Sequence, residues 1–285
     1  MSTPADPGRS LPTEAVFAVL DGLADGARLV AGSVRRGVHH LRLVEPDRGS
    51  VRAHVWAAQP GRGPGEGADV LGDEAARLGW LAGRLPVPDV QALTRVTVEG
   101  VDWTVLACST VTGQRADDPA AHRDADSAIT TVAAALRAVH GLPVADCPFT
   151  AATDERLARC RRRVELGLVD PAELAPAYRA HAPARLLGWL EDALSSLDDP
   201  SDDDVVVTHG TPILANLLVE GGAPSGYLGW AGAGVGDRYA DLAVVAASLA
   251  THVSTEALGP FFAAYGLELP SLARIDAFAF LAQLS

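Results

Sequence analysis

Val206-Val207-Thr208-His209-Gly210-Thr211-Pro212-Ile213-Leu214-Ala215-Asn216 is the stretch on which the reading of this chain turns. Val205-Val206-Val207 has the β-branched, apolar character of a short buried strand. It runs straight into a polar turn, His209-Gly210-Thr211. Two further strand candidates follow, Leu217-Leu218-Val219 and Tyr227-Leu228, and from Asp241 onward the apolar spacing is helical up to Leu284.

Upstream of this stretch the pattern divides in two. Val38 to Val44 and Val51 to Ala57 alternate about an Asp-Arg-Gly-Ser turn and read as a β-hairpin; Val90 to Val98 and Trp103 to Cys108 read as two more strands. Helical spacing appears once among them, over Asp73 to Leu85. A polar, proline-bearing tail over residues 1–12, a first helix near Thr13 to Leu23 and a Pro/Gly loop from Gln59 to Gly67 complete this part. Beyond it come helices over Ala128 to Leu142, where Ile129, Val132, Ala133, Leu136 and Val139 share a face, and over Asp154 to Gly167 and Ala184 to Leu197. Asp198 to Asp204 reads as a solvated acidic linker. The expected division is a tail and first helix over 1–24, a sheet-rich lobe over 25–106, a connection over 107–113 and a helical lobe over 114–285.

Composition narrows the partners. The chain has 285 residues, 48% of them hydrophobic, enough for a sizeable core in two lobes. Its net charge of −13 opposes the basic face that a phosphate backbone needs, so no nucleic-acid partner is expected. All 23 basic residues are arginine, and there is no lysine. No apolar run reaches the length of a membrane span and no signal-peptide pattern is present, so the expected location is the cytoplasm. Cys108, Cys147 and Cys160 form no CxxC pair and are expected to be reduced thiols, mostly buried. His39, His40 and His54 lack zinc-like spacing and read as strand-surface histidines, so no metal is expected there.

The stretch from Val206 to Asn216 resembles the catalytic loop of the aminoglycoside phosphotransferases, which reads His-Gly-Asp, four residues, then Asn. Ser225-Gly226-Tyr227-Leu228-Gly229-Trp230 resembles that family's metal-binding strand end. Gly234-Val235-Gly236-Asp237-Arg238-Tyr239-Ala240-Asp241-Leu242-Ala243 resembles the loop and helix that follow. Asp73 to Leu81, Cys147-Pro148-Phe149 and Gly167-Leu168-Val169-Asp170 also match, in the right order. The likeness is nearest to the 3′-phosphotransferase branch and runs from about Gly32. It implies a mixed α/β (α+β) fold of the two-lobed, protein-kinase-like kind, with a sheet-rich N-lobe and a helical C-lobe.

The same resemblance locates the departures. Phosphoryl transfer needs a base or orienting group, a carboxylate on magnesium and a cation on the phosphates. The family's base position is Thr211, its magnesium carboxylate falls at Gly229, and its lysine aligns with Trp56, beside a retained partner glutamate, Glu74. Asn216, the second metal ligand of the family, is kept. The loop after Asp170 carries one carboxylate, Glu173, and Ala282 and Gln283 stand where carboxylates would meet a polycationic sugar.

The expectation is therefore a member of this fold without ordinary ATP-dependent kinase activity and without a cofactor. It would act on or bind a small metabolite in the cleft between its lobes, as suits natural-product biosynthesis. The alternatives are a non-catalytic binding protein of the pseudokinase type and a phosphotransferase with a relocated active site. His209, Thr211 and Asn216 are the catalytic candidates; Trp56, Glu74 and Trp230 are the candidate ligand contacts. His209 is either a brace for the loop or an acid/base group. Trp230 is either ordinary core or an apolar wall of the cleft. The oligomeric state is left open.

Overall fold

The computed structural model describes residues 20, 26–35, 38–45, 51–58, 68–98 and 100–285. The tail, the first helix apart from Leu20, the hairpin turn and the loop from Gln59 to Gly67 lie outside them. The described residues divide into two compact units: those up to Ala82 with Val87–Val111, and Gly83–Pro86 with Thr112–Ser285.

The first unit is an antiparallel sheet with one helix. Strands β1 (Arg28–Arg35), β2 (Val38–Val44), β3 (Val51–Ala58), β4 (Val90–Val98) and β5 (Val101–Ser109) stand in the order β1-β2-β3-β5-β4. Sequence reading missed β1, whose apolar run is short and broken by Gly32. The register of β1 on β2 shifts between Ala31 and Ser33, the bulge that an intervening glycine accommodates. Every second residue along the strands points inward: Leu41 and Leu43, Val55, then Trp103, Val105 and Ala107 form one buried cluster with Leu20 and Leu29. Helix α1 (Ala68–Leu81) begins earlier and ends sooner than its periodicity suggested, and buries Leu71, Leu78 and Leu81. Strand β5 continues through Ala107 and Cys108 to Ser109, so the expected connection from 107 opens as strand.

The second unit is helical with two small sheets. Helix α2 (Ala125–His140) starts at a capping box between Asp124 and Ser127 and buries Ile129, Val132, Leu136 and Val139 along one face. Helices α3 (Thr153–Glu165) and α4 (Pro183–Ser195) follow; Leu186 and Leu190, one turn apart on α4, are fully buried, each worth about 1.5–3 kcal/mol of transfer free energy. Strand β6 (Gln114–Arg115) pairs with β8 (Leu217–Glu220), which pairs with β9 (Ala223–Tyr227). Strand β7 (Val205–Thr208) pairs with β10 (Gly234–Asp237). Helices α5 (Tyr239–His252), α6 (Leu258–Tyr265) and α7 (Leu272–Leu284) close the chain. The acidic linker is not wholly solvated: Asp204 faces Arg238 at 3.1 Å and its carbonyl accepts the Arg238 N–H. Among the described residues no helix is long and apolar enough to cross a membrane. The three cysteines are unpaired, and burial, aided by Glu74 and Asp89, pushes the Cys108 thiol up to about 12, far from the reactive thiolate range.

Candidate functional site

Strand β7 delivers the chain to the loop, and its last residue fixes the exit. Thr208 is buried and donates its hydroxyl to the Gly234 carbonyl on β10. Gly210 then adopts φ +88°, and a Cβ built there would lie 2.4 Å from the Gly232 carbonyl oxygen. Two loop backbones meet at this point, so position 210 admits only glycine.

From behind, the loop is held by charge. Asp241, in the first turn of α5, is fully buried. Its carboxylate accepts the backbone N–H of His209 at 2.6 Å and of Gly210 at 2.9 Å. His140, at the end of α2, donates Nε2–H to the same carboxylate at 3.1 Å, while its Nδ1 meets the Tyr265 hydroxyl at 2.7 Å. Burial alone would raise the Asp241 carboxyl, but the His140 bond, the two histidine charges and the His209 N–H hold it below the usual carboxylate range. From the other direction Arg156 on α3 donates Nη2–H to the Gly210 carbonyl at 3.0 Å. Gly210 is thus gripped by an anion at its N–H and a cation at its C=O, both side chains coming from helices. These three residues were not singled out as site residues in the sequence. The available signal was polarity out of place: an aspartate at the head of the apolar run Leu242 to Leu249, and a histidine closing an apolar helix face.

The outer side carries the residues that the sequence proposed. Thr211 is exposed; its N–H donates to His209 Nδ1 at 3.3 Å and its carbonyl accepts Asn216 Nδ2–H at 2.9 Å. The Asn216 carbonyl in turn accepts the Leu228 N–H at 2.8 Å, which brings Asn216 beside Gly229. Gly229 has φ +77°, and a Cβ there would lie 2.7 Å from Asn216 Nδ2. Thr211, Asn216 and Gly229 therefore form one patch. A Cβ on Gly232 would lie 3.9 Å from Thr211 Oγ1, so Gly232 backbone borders this hydroxyl.

For two candidates the geometry favours the first of the two readings given to each, a brace for His209 and core for Trp230. Trp230 does not form a wall open to a ligand: it is completely buried, donates Nε1–H to the Tyr227 carbonyl at 3.3 Å and stacks on His209 with ring centroids 4.2 Å apart. His209 is not poised to move protons near neutral pH. Burial pulls its imidazole down to about 4 against the opposing charge of Asp241, and Nδ1 is already occupied by the Thr211 N–H. A neutral, stacked imidazole is what an apolar wall and a donated N–H select. Of the remaining two, Glu74 lies in α1 of the sheet unit and its charge acts on Cys108. The Trp56 backbone pairs with His40 and Leu106 within the sheet; its side chain lies outside the described residues.

The patch does not fit a magnesium ion. Gly229 supplies no side chain, Asn216 offers one neutral carbonyl oxygen, and Thr211 one hydroxyl; a hard divalent cation needs carboxylate help. Asp241, the carboxylate that binds the loop backbone, is buried behind it. Among the described residues no group of three or more His, Cys, Asp or Glu is arranged to hold a metal. A cavity of about 20 Å³ lies behind the loop, bounded by His209, Asn216, Tyr227 and apolar side chains; it suits a single water and no ligand. The segment after Asp170 carries one carboxylate, Glu173, and one arginine, Arg179. The Ala175 N–H donates to Gln283 Oε1 at 2.7 Å, and Tyr178 stacks on Phe280 with centroids 4.8 Å apart.

Comparison with known proteins agrees with this architecture. The family described as "Phosphotransferase enzyme family" matches residues 50–278. An aminoglycoside 3′-phosphotransferase from Streptomyces fradiae is 34% identical over 230 residues, covering 78% of this chain and 80% of the relative. One from Niallia circulans is 31% identical over 63% of this chain, and the match spans 64% of its length, a little under two thirds. Among solved structures, the aminoglycoside phosphotransferase APH(3′′)-Id from Streptomyces rimosus superimposes with a TM-score of 0.79 at 25% identity, covering 96% of this chain and 99% of that one. The same protein has been solved in complex with ADP and streptomycin, with a TM-score of 0.76 to this chain.

Proposed function

We propose that this chain, which belongs to the phosphotransferase enzyme family, binds or acts on a small, weakly charged organic molecule at the patch of Thr211, Asn216 and Gly229, and does not transfer phosphoryl groups by the family's magnesium-dependent route. Gly229 carries the reading. It stands where the resemblance puts the metal carboxylate, its φ is +77°, and the space a side chain would enter is already held by Asn216. Thr211 supports it: a threonine hydroxyl is a poor proton acceptor at neutral pH, and no base among the described residues hydrogen-bonds it. The absence of lysine from the whole chain removes the point charge that would meet the phosphates. At the acceptor side, Gln283 spends its carbonyl on the Ala175 N–H, and the aromatic pair Tyr178–Phe280 stands beside it. Neither attracts a polycation. Three unpaired thiols suit a reducing compartment, and we place the protein in the cytoplasm.

A second reading is favoured by the named relatives: an aminoglycoside phosphotransferase whose catalytic groups have moved elsewhere. One assay separates the two. Purified protein is incubated with magnesium and γ-labelled ATP or GTP, together with kanamycin or streptomycin, and label transfer is followed. We expect none above the rate without protein, since loss of the base alone costs about 10²–10⁴ in rate. Stoichiometric transfer to either antibiotic would establish the second reading instead.

A further inference from the structure

A groove of about 1040 Å³ crosses the helical unit, and it uses neither Thr211, Asn216 nor Gly229. Its walls come from α3, α4, α7, β10 and the segment from Cys147 to Asp154. Leu157 and Phe278 are buried at its base, and Phe149, Leu194 and Leu197 line it half-buried. Above this apolar floor stand Asp154, Asp192, Asp198 and Asp199, all exposed. None of these four carboxylates forms a salt bridge with a described residue. Both arginines that line the groove are already spent. Arg161 holds Glu191 at 2.6 Å, and Arg274 is bound to the Asp237 carboxylate and to the Asp198 carbonyl. The two arginines cancel Glu191 and Asp237, so the groove faces outward with four uncompensated negative charges over aliphatic and aromatic carbon.

From this pairing of features we propose that the groove is a second binding site, and that its ligand is a small organic cation: a protonated amine carried on an apolar body. A simple acidic surface would attract any cation and hold none in place, because exposed carboxylates contribute little each and are screened by salt. An apolar pocket without charge would take neutral molecules equally well. The combination selects for both properties at once, since the apolar part is bound by desolvation against Leu157, Leu194 and Phe278 while the ammonium group remains at the carboxylate rim. The groove's volume lies just above the upper end of the range for ligand clefts, roughly 1,000 Å³. The site stands independently of the function proposed above. It touches the same framework, because Asp237 at its floor lies in β10, the strand paired with β7 that leads into the His209–Thr211 loop.

Three probes test it by isothermal titration and saturation-transfer NMR: 2-phenylethylammonium, 2-phenylethanol and ethylammonium. The first carries both features, the second lacks the charge and the third lacks the ring. We expect 2-phenylethylammonium to bind at least about tenfold more tightly than either of the others, the equivalent of about 1.4 kcal/mol. The double variant Asp192→Asn/Asp199→Asn changes only exposed groups and should weaken the amine about tenfold while leaving 2-phenylethanol unchanged. Glu268→Gln, an exposed carboxylate outside the groove, serves as the control and should change nothing. Equal binding of ethylammonium and 2-phenylethylammonium would reduce the groove to nonspecific surface charge and overturn the proposal. So would an equal loss in Glu268→Gln, or no saturable binding of the amine at millimolar concentration.

Discussion

On its inner side the loop from His209 to Asn216 is held by Asp241, His140 and Arg156, all ionisable and all buried. On its outer side it presents Thr211, Asn216 and Gly229, none of which can carry a charge at neutral pH. The two sides are separated by one residue of backbone. Under the function proposed above, the outer side lacks the charges that would meet metal and phosphate, while the inner set is complete. A buried carboxylate with three hydrogen-bond donors and a guanidinium on the adjoining carbonyl do nothing useful unless the loop must be held in one conformation. The contrast teaches that the geometry of the loop is maintained separately from the chemistry it presents.

The inner side can be broken first, with the largest effect. Asp241→Ala leaves the His209 and Gly210 N–H groups and His140 without their shared acceptor. We expect a loss of about 3–5 kcal/mol, the usual cost of removing one partner from a buried charged network. Chemical denaturation followed by circular dichroism reads this directly; a loss under about 1 kcal/mol would mean the network is replaceable by water.

Acid offers a second, smaller perturbation. The folded His209 imidazole titrates near 4, whereas in the unfolded chain it titrates at about 6.5. Between those values the unfolded chain holds a proton that the folded chain refuses, so stability falls as pH drops from about 6.5 to about 4, by up to about 3 kcal/mol. Asp241, depressed in the fold, adds a loss that begins below the ordinary carboxylate value. Melting temperatures across this window should slope downward toward acid in the native protein, and the slope should flatten in His209→Gln. An unchanged slope in the variant would transfer the acid sensitivity to another group.

The outer side sharpens the comparison by its indifference. Thr211 is exposed, and its hydroxyl makes no hydrogen bond to another described residue. Thr211→Ala is therefore expected to change stability by no more than about 0.5 kcal/mol, as surface substitutions do. A much larger loss in the same denaturation assay would place Thr211 in the scaffold and erase the distinction between the two sides.

Much of this protein was open to reading in one dimension. The alternation of Leu41 with Leu43 and of Trp103 with Val105 and Ala107 fixed a half-buried sheet, because side chains on a strand reach opposite faces in turn. The spacing of Ile129, Val132, Leu136 and Val139 fixed a helix face for the same kind of reason. The order of the short motifs fixed the family. The identity of residues 211, 216 and 229 fixed which chemical groups the patch has and lacks. Tertiary structure alone decided where the charges and rings point. In sequence, Trp230 and His209 read either as core and brace or as groups offered to a ligand; in the fold they stack on each other in the interior, where burial keeps the imidazole neutral. Asp241 lies 101 residues from His140 in the chain and comes from a different helix than Arg156, and only packing gathers the three around the Gly210 peptide. Ionisation state and hydrogen-bond partnership depend on the local dielectric and on neighbours distant in sequence, and neither quantity is carried by the order of the residues.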